Sequence, residues 1–321
     1  MSAASTAASR TRTEGLEGRR VHVKVPATSA NLGPGFDTLG LALAQYDELE
    51  VEAGGEGLRI EVHGVGAGEV PLDESHLVVR ALAHTLAHYG RELPPLRLVA
   101  HNSIPHGRGL GSSGAAIVAG VMAAKGLLAP EVEISPDELL ELATELEGHP
   151  DNVAPALFGG LTIAWVTPDG PRHKKLMVHR GVSPLVLVPE HEMSTALARS
   201  LQPESVPHED AVFNVSRSAL LVAALIQSPE LLLAATEDKL HQRYRAEAMP
   251  ETDRLIRVLR EAGHPAVVSG AGPSILVLAS DPSERADAAR IVEESAETAW
   301  QALPLAVDFL GATVTPSDAD E

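Results

Sequence analysis

The sequence predicts an α+β protein of two domains, and three observations carry that prediction. Short apolar stretches alternate with helix-length segments through the second half of the chain. A glycine-rich loop at 104–111 runs straight into a long segment of small apolar residues that reads as a helix. The 321 residues, 44% of them apolar, suffice for two separate cores. Strands gathered on one side and helices on the other give the α+β layering.

Structure is expected to begin near Val21, after a disordered tail over 1–20 rich in Ala, Ser, Thr, Arg and Glu. Residues 22–25 alternate as a half-buried strand, and 39–51 form a longer β-rich stretch. Between them PATSANLGPGFDTLG (26–40) reads as a shaped loop, and loops held on rigid strands are where sites sit. Its polar side chains Asn31 and Asp37 either hold a ligand or satisfy turn geometry. Residues 73–89 read as a helix closed by Gly90. His84 and His88 on it are spaced i, i+4, but no Glu follows the first, so the pair reads as a solvated face.

A strand at 96–100 precedes the glycine-rich loop, whose helix runs to 128. Ser135 and Glu138 form a capping box with Pro136 at the first helical position, starting a helix that ends at Gly148. GHPDNVAP (148–155) is a polar cluster pinned by two prolines, and 157–165 returns to strand. Glu145 and Glu147 close the preceding helix, where carboxylates oppose the helix dipole and invite a compensating cation or ligand. A turn at 168–171 marks the expected boundary between domains at 21–170 and 171–310. Beyond it strands are expected at 185–188, 266–269, 275–279 and 305–309, with helices at 194–201, 210–227, 229–240, 251–262 and 282–302. SGAGPS (269–274) is a second glycine-rich turn, serving as a hairpin connection or as a backbone wall facing a ligand. Residues 311–321 read as an acidic tail.

Charge narrows the function classes. Lys+Arg 25 against Asp+Glu 44 gives −19, which repels nucleic acid and anionic membrane surfaces. No apolar run reaches the ~20 residues of a membrane span, and residues 1–20 lack the apolar core of a secretory signal. Zero cysteines exclude disulfides and thiolate chemistry and fit a reducing, cytoplasmic setting.

The loop IPHGRGLGSSGAAIV (104–118) is built to hold an anion: its glycines free the backbone, and the following helix start aims N–H groups at one point. The helix dipole alone supplies only ~0.3–2 kcal/mol, so such a loop positions a phosphate rather than binding it unaided. Residues 109–114 also match G-x-G-x-x-G, with Glu133 about 20 residues on, the pattern of an NAD-dependent oxidoreductase. That motif needs a strand running into the first glycine, whereas here Asn102, Pro105, His106 and Arg108 intervene. The Walker pattern also fails, because no Lys follows Gly111.

Four stretches together resemble one family. Residues 26–43 resemble the first motif of homoserine kinases, 105–113 the phosphate loop of the wider GHMP kinase superfamily, and 269–274 that superfamily's third motif. Residues 148–155 add a match specific to the homoserine branch. The resemblance covers about residues 21–310. It implies an N-terminal α/β domain like one in a small-subunit ribosomal protein and a C-terminal ferredoxin-like α/β sandwich. It implies transfer of a phosphoryl group from ATP to L-homoserine, a step towards threonine, with another GHMP small-molecule kinase as the alternative. By the same resemblance Pro105, His106, Gly107, Arg108, Gly109, Leu110, Gly111, Ser112, Ser113, Gly114, Ala115 and Ala116 cradle the ATP phosphates.

Mg²⁺ would be held by Ser113 and a carboxylate, for which Glu145 is the first choice and Glu147 the second. A zwitterionic substrate needs a carboxylate for its ammonium and guanidinium for its carboxylate. The resemblance gives Asn31 and Asp37 the first task, Arg199 and Arg245 the second, and places His149 and Asn152 along the substrate. Asp151 is the candidate base by analogy with mevalonate kinases, beside Asn152. Partners are then small molecules, with neither nucleic acid nor membrane, and a homodimer is compatible. Two departures stand out: Gly114 sits where the family usually has Ala, and His76 where many relatives have Asn near the adenine pocket.

Overall fold

The computed structural model describes residues 15–317. Two sheets organise the chain. The first is built on β1 (Arg20–Ala30) and the long β2 (Leu39–Ala53), which pair antiparallel. A register shift between Pro26 and Ala27 bends this ribbon. One half of β2 then pairs with β4 (Leu96–Asn102), and the other half pairs with β5 (Leu161–Thr167). The bulge is thus what lets one strand serve two neighbours on the same side. β3 (Leu58–Gly64) lies parallel to β4, with α1 (Leu77–His88) as the crossover between them. β6 (Gly170–Leu176) extends β5 as a hairpin.

Three further helices cover this sheet: α2 (Ser112–Leu128), α3 (Pro136–Glu147) and α4 (Pro150–Phe158). α2 is apolar nearly all round because it is buried nearly all round, against both α1 and β1. The capping box on α3 forms as expected: the Ser135 hydroxyl accepts from Glu138 N while the Glu138 carboxylate accepts from Ser135 N. The polar cluster expected as a loop at 148–155 is instead the start of α4. Pro150 stands at its first position, where no N–H is needed.

The second sheet holds β7 (Ser183–Pro189), β8 (Ala266–Val268), β9 (Ile275–Ala279) and β10 (Trp300–Pro304) in the antiparallel order β10-β7-β9-β8. Between β7 and β8 come α5 (Thr195–Ser200), α6 (His208–Ile226), two four-residue helices, α7 (Leu232–Ala235) and α8 (Gln242–Arg245), and α9 (Pro250–Glu261). α10 (Pro282–Ser295) joins β9 to β10. This is the expected ferredoxin-like β-α-β-β-α-β arrangement. Alternate residues of β7 and β9 face different cores: Leu185, Leu187, Ile275 and Val277 pack on α9 and α10. Val186, Val188, Leu276 and Leu278 join the main core shared with the first domain. Burial on both faces explains why these strands read as unbroken apolar runs.

Several sequence boundaries shift. Residues 15–19, assigned to the tail, belong to the fold: Leu16 is fully buried, and Arg19 donates to the carbonyls of Leu127 and Ala129. Residues 1–14 of that tail lie outside the described residues. The expected boundary after 170 is displaced, because β6 completes the first sheet. The chain also returns: β11 (Thr313–Pro316), expected as tail, pairs with β1. The strand expected at 305–309 is instead a connection bearing one bridge, Val307 to Leu43. Nor does 229–240 form one helix; only a short 3₁₀ turn and α7 occur there.

Candidate active site

The first and third glycine motifs meet the phosphate loop where the two domains touch. Gly111 caps α2 in the left-handed region, φ 70°, and a Cβ there would lie 2.0 Å from Thr28 Oγ1. Gly109, φ 72°, would meet Ser269 O at 2.1 Å. Only glycine fits either place, since both backbone strain and a collision exclude a side chain. Thr28 N donates to Leu110 O, and Ser269 Oγ bonds Gly109 O at 2.7 Å. The 269–274 turn is therefore a backbone wall against the loop.

A cavity of about 210 Å³ opens between these pieces. It brings together Asn31, Asp37, Gly107, Gly109, Gly111, Ser112, Ser113, His149, Asp151, Asn152, Arg199 and Arg245 from the expected set. Glu147 is the carboxylate that joins them, 3.0 Å from Ser113 Oγ. Glu145 is corrected: two residues earlier on α3, it points the other way and bonds His84 Nε2 at 2.8 Å, so it does not line the cavity. Residues two apart on a helix lie about 200° around it. The expected solvated His84 thus has a partner.

Asp151, at 2% exposure, sits in the first turn of α4, where the helix dipole favours its charge. One of its oxygens bonds His149 Nδ1. Burial pulls the His149 imidazole down, but the hydrogen bond and charge of Asp151 outweigh it and hold its pKa above the ordinary value. Glu147 goes the other way from most carboxylates, because burial raises it despite His149, Ser113 and Arg199. Thr28 was not singled out in the sequence, yet its hydroxyl donates to Asn152 Oδ1 at 3.0 Å and turns that amide into the cavity.

The acceptor end carries opposite charges. Arg199, on α5, grips Asp37 in a fork at 3.0 and 3.4 Å, both side chains about 40% exposed. Arg245, at 2% exposure, lies 5.3 Å from the Phe36 ring centroid and donates to Gly270 O at 3.3 Å. Its Nε is buried with no partner, and burial pushes its pKa down to about 10. Asn31 Nδ2 donates to Gly270 O and its Oδ1 accepts from Asp37 N, which fixes the amide in the turn at the cavity wall. Behind it, His241 Nε2 donates to Gly33 O, 2.7 Å away, and its ring stacks on Phe36.

A second, more apolar cavity of about 270 Å³ continues past Ser112 and Ser113. Ala115, Ala116, Leu77 and Val78 line it, with His106 and the buried His76, whose Nδ1 has no partner. Two loop residues do not face ligand space with their side chains. Leu110 is buried in the core, and Arg108 turns its guanidinium to the carbonyls of His106, Pro189 and Glu190. Arg108 as a phosphate contact is thereby corrected. A Cβ on Gly114 would meet Asn152 Cβ at 3.3 Å. The oxidoreductase pattern lacks its setting, because α2 leads into α3 rather than a parallel strand.

Among the described residues no cluster of three or more His, Asp or Glu could hold a metal. The hydroxyl of Ser113 beside the carboxylate of Glu147 is a donor pair suited to a hard cation completed by phosphate and water. Among those residues no helix is long and apolar enough to cross a membrane.

Residues 76–160 match the GHMP kinases N terminal domain, and 220–298 match the GHMP kinases C terminal domain. A homoserine kinase of Leifsonia xyli subsp. xyli is 75% identical over 304 residues, 94% of each chain. That of Streptomyces coelicolor is 50% identical over 92% of this chain and 94% of its own. The crystal structure of homoserine kinase from Cytophaga hutchinsonii superposes with a TM-score of 0.83 at 28% identity, covering 92% of this chain and 98% of that one.

Proposed function

The chain belongs to the homoserine kinases of the GHMP kinase family, and from that premise we infer that it transfers the terminal phosphoryl group of ATP to the side-chain hydroxyl of L-homoserine. The product is O-phospho-L-homoserine, on the way to threonine. The observation that carries the reading beyond the family is the composition of the 210 Å³ cavity: a glycine-lined anion loop at one end and charges of both signs at the other. A compact amino acid zwitterion is the complement of that far end.

ATP lays its phosphates on the backbone N–H groups around Gly107–Ser113 and its base in the apolar cavity beside His76. Homoserine offers its ammonium to Asp37 and its carboxylate to Arg199 and Arg245, which points its hydroxyl at Asn152 and Asp151. Arg245, buried with an unpartnered Nε, is the guanidinium in need of an anion. Ser113 and Glu147 would hold Mg²⁺, which would supply neutralisation of the phosphate charge. Burial raises the pKa of Glu147, and a hard cation beside it would favour the ionised form.

Phosphoryl transfer asks mainly for alignment and charge neutralisation. Asn152, its amide set by Thr28, orients the attacking hydroxyl. Asp151, held through one oxygen by His149, takes the proton late in the transfer. The enzyme works in the cytoplasm, and a homodimer fits the reading. A coupled ADP-release assay over homoserine, serine, threonine, mevalonate and galactose tests it. Turnover with homoserine well above the others is expected; preference for mevalonate or galactose would overturn the substrate assignment.

A further inference from the structure

Arg108 lies inside the phosphate loop, yet its guanidinium turns away from the ligand space. Its Nε donates to Pro189 O at 3.0 Å and its Nη2 to Glu190 O at 2.6 Å, both on the strap that leaves β7 in the second domain. Its Nη1 donates to His106 O, within the loop itself, and pairs with Glu192 Oε1, each at 3.0 Å. Beside it Met193 N donates to Gly107 O at 2.9 Å. The loop and the strap are thus stitched by three bonds from one guanidinium and one from the backbone, with a fourth guanidinium bond bracing the loop itself, and a planar five-donor group is what such a cluster of acceptors requires.

The strap continues directly into the acceptor end. Met193, Ser194 and Thr195 line the cavity, and the Ser194 hydroxyl caps α5 by accepting from Leu197 N at 3.2 Å. α5 carries Arg199, whose fork on Asp37 closes the circle back to the first domain. One continuous chain of bonded groups therefore runs from the loop through Arg108 and the strap to Arg199. α5 has only six residues, a helix too short to be stable by itself. Its geometry depends on what holds its first turn.

We propose that Arg108 is a positioning residue that makes the two substrates bind cooperatively: a polyphosphate seated on the loop fixes His106 and Gly107, Arg108 passes that order to the strap, and Arg199 is then preset for an amino acid carboxylate. The ordering of loop and strap is common to both ligands, so whichever binds first spares the other that loss of freedom. The proposal rests on the functional reading above. It also assigns Arg108 a role in which no substrate is touched.

Calorimetric titration of L-homoserine with and without the Mg²⁺ complex of a non-hydrolysable ATP analogue tests it. In the wild type the analogue tightens homoserine by about fivefold or more, within the usual range of coupled sites, and homoserine tightens the analogue by the same factor. Arg108→Met reduces that factor to within about twofold of unity while homoserine affinity without nucleotide changes less than the factor lost. Arg108→Lys, which cannot reach all four acceptors, falls between the two. A wild-type factor near unity overturns the proposal, as does an Arg108→Met protein that keeps the wild-type factor. Should Arg108→Met fail to fold, hydrogen exchange in the wild type decides. The analogue alone must slow exchange at Met193 and across the strap, and unchanged rates there refute the coupling. Absence of homoserine phosphorylation in the wild type would sink the functional reading itself, whereas an active enzyme without coupling sinks only this inference.

Discussion

Replacing Arg245 by Met separates function from stability with opposite signs. The guanidinium is 2% exposed, has one long bond to Gly270 O, and leaves Nε unpartnered. Burial lowers its pKa to about 10, well below the usual guanidinium range, and at ~1.4 kcal/mol per tenfold this is roughly 3 kcal/mol of desolvation that the ligand-free protein leaves uncompensated. A group with a depressed cationic pKa carries this cost in full below about pH 10 and loses it only as pH rises further, so at pH 7.5 the whole term applies. Met fills similar volume without charge and forfeits the contact with Phe36, worth ~0.5–2 kcal/mol. The ligand-free variant should therefore be more stable by about 1–2 kcal/mol, a Tm higher by a few degrees. Losing one partner of a buried charge pair with the substrate carboxylate costs ~2–5 kcal/mol, a rise in homoserine KM of roughly 30- to 4,000-fold, with KM for ATP nearly unchanged. Scanning calorimetry and steady-state kinetics read both. A lower Tm together with an unchanged homoserine KM would refute the argument, because the guanidinium would then be satisfied by the protein alone.

Glu147→Gln should abolish the response of activity to Mg²⁺ and stabilise the metal-free protein at neutral pH. Its carboxyl is held above the ordinary 4.5, so the fold disfavours the ionised form: the penalty is absent below that pH and accumulates as pH rises through the raised value. Tm against pH, with and without Mg²⁺, checks this, and a Tm lowered equally at pH 4 and pH 8 would contradict it. Gly111→Ala must adopt the left-handed region and displace Thr28 Oγ1 from 2.0 Å, a combined cost of about 2–5 kcal/mol that should appear as a lower Tm and a raised KM for ATP. Asp151→Asn keeps the shape beside His149 but cannot accept a proton; kcat should fall about 10²-fold or more with homoserine KM little changed. A near-normal kcat would end the base role and leave the kinase assignment intact.

Much of this site was legible because glycine and capping chemistry are local. GLGSS could be read as an anion loop opening a helix, and the Ser135 box forms between the residues expected. Longer-range choices were not local. Glu145 and Glu147 both stand at the end of α3, and only the direction of α1, whose His84 takes Glu145, decides between them. α4 was hidden because two prolines in nine residues read as loop, although one stands at the first helical position. The other, Pro155, lacks the N–H that would meet the carbonyl of Asp151 in the first turn. β3 carries its signal in the open, since Leu58, Ile60 and Val62 alternate with polar residues. β11 had no comparable pattern: four residues on a sheet edge gain their structure from β1. Arg108 looked like a phosphate contact because a cation among glycines invites it, and only the carbonyls of a strap 81 residues away claim it instead.

The central claim is that ATP's terminal phosphoryl group moves to the hydroxyl of a small amino acid seated between Asp37, Arg199 and Arg245. Phosphorus NMR of the wild-type protein with ATP, Mg²⁺ and L-homoserine follows that transfer directly. A new phosphomonoester signal, coupled to the protons of the hydroxyl-bearing carbon, is expected to grow in step with ADP. ADP accompanied only by inorganic phosphate, or ATP left intact, would contradict it.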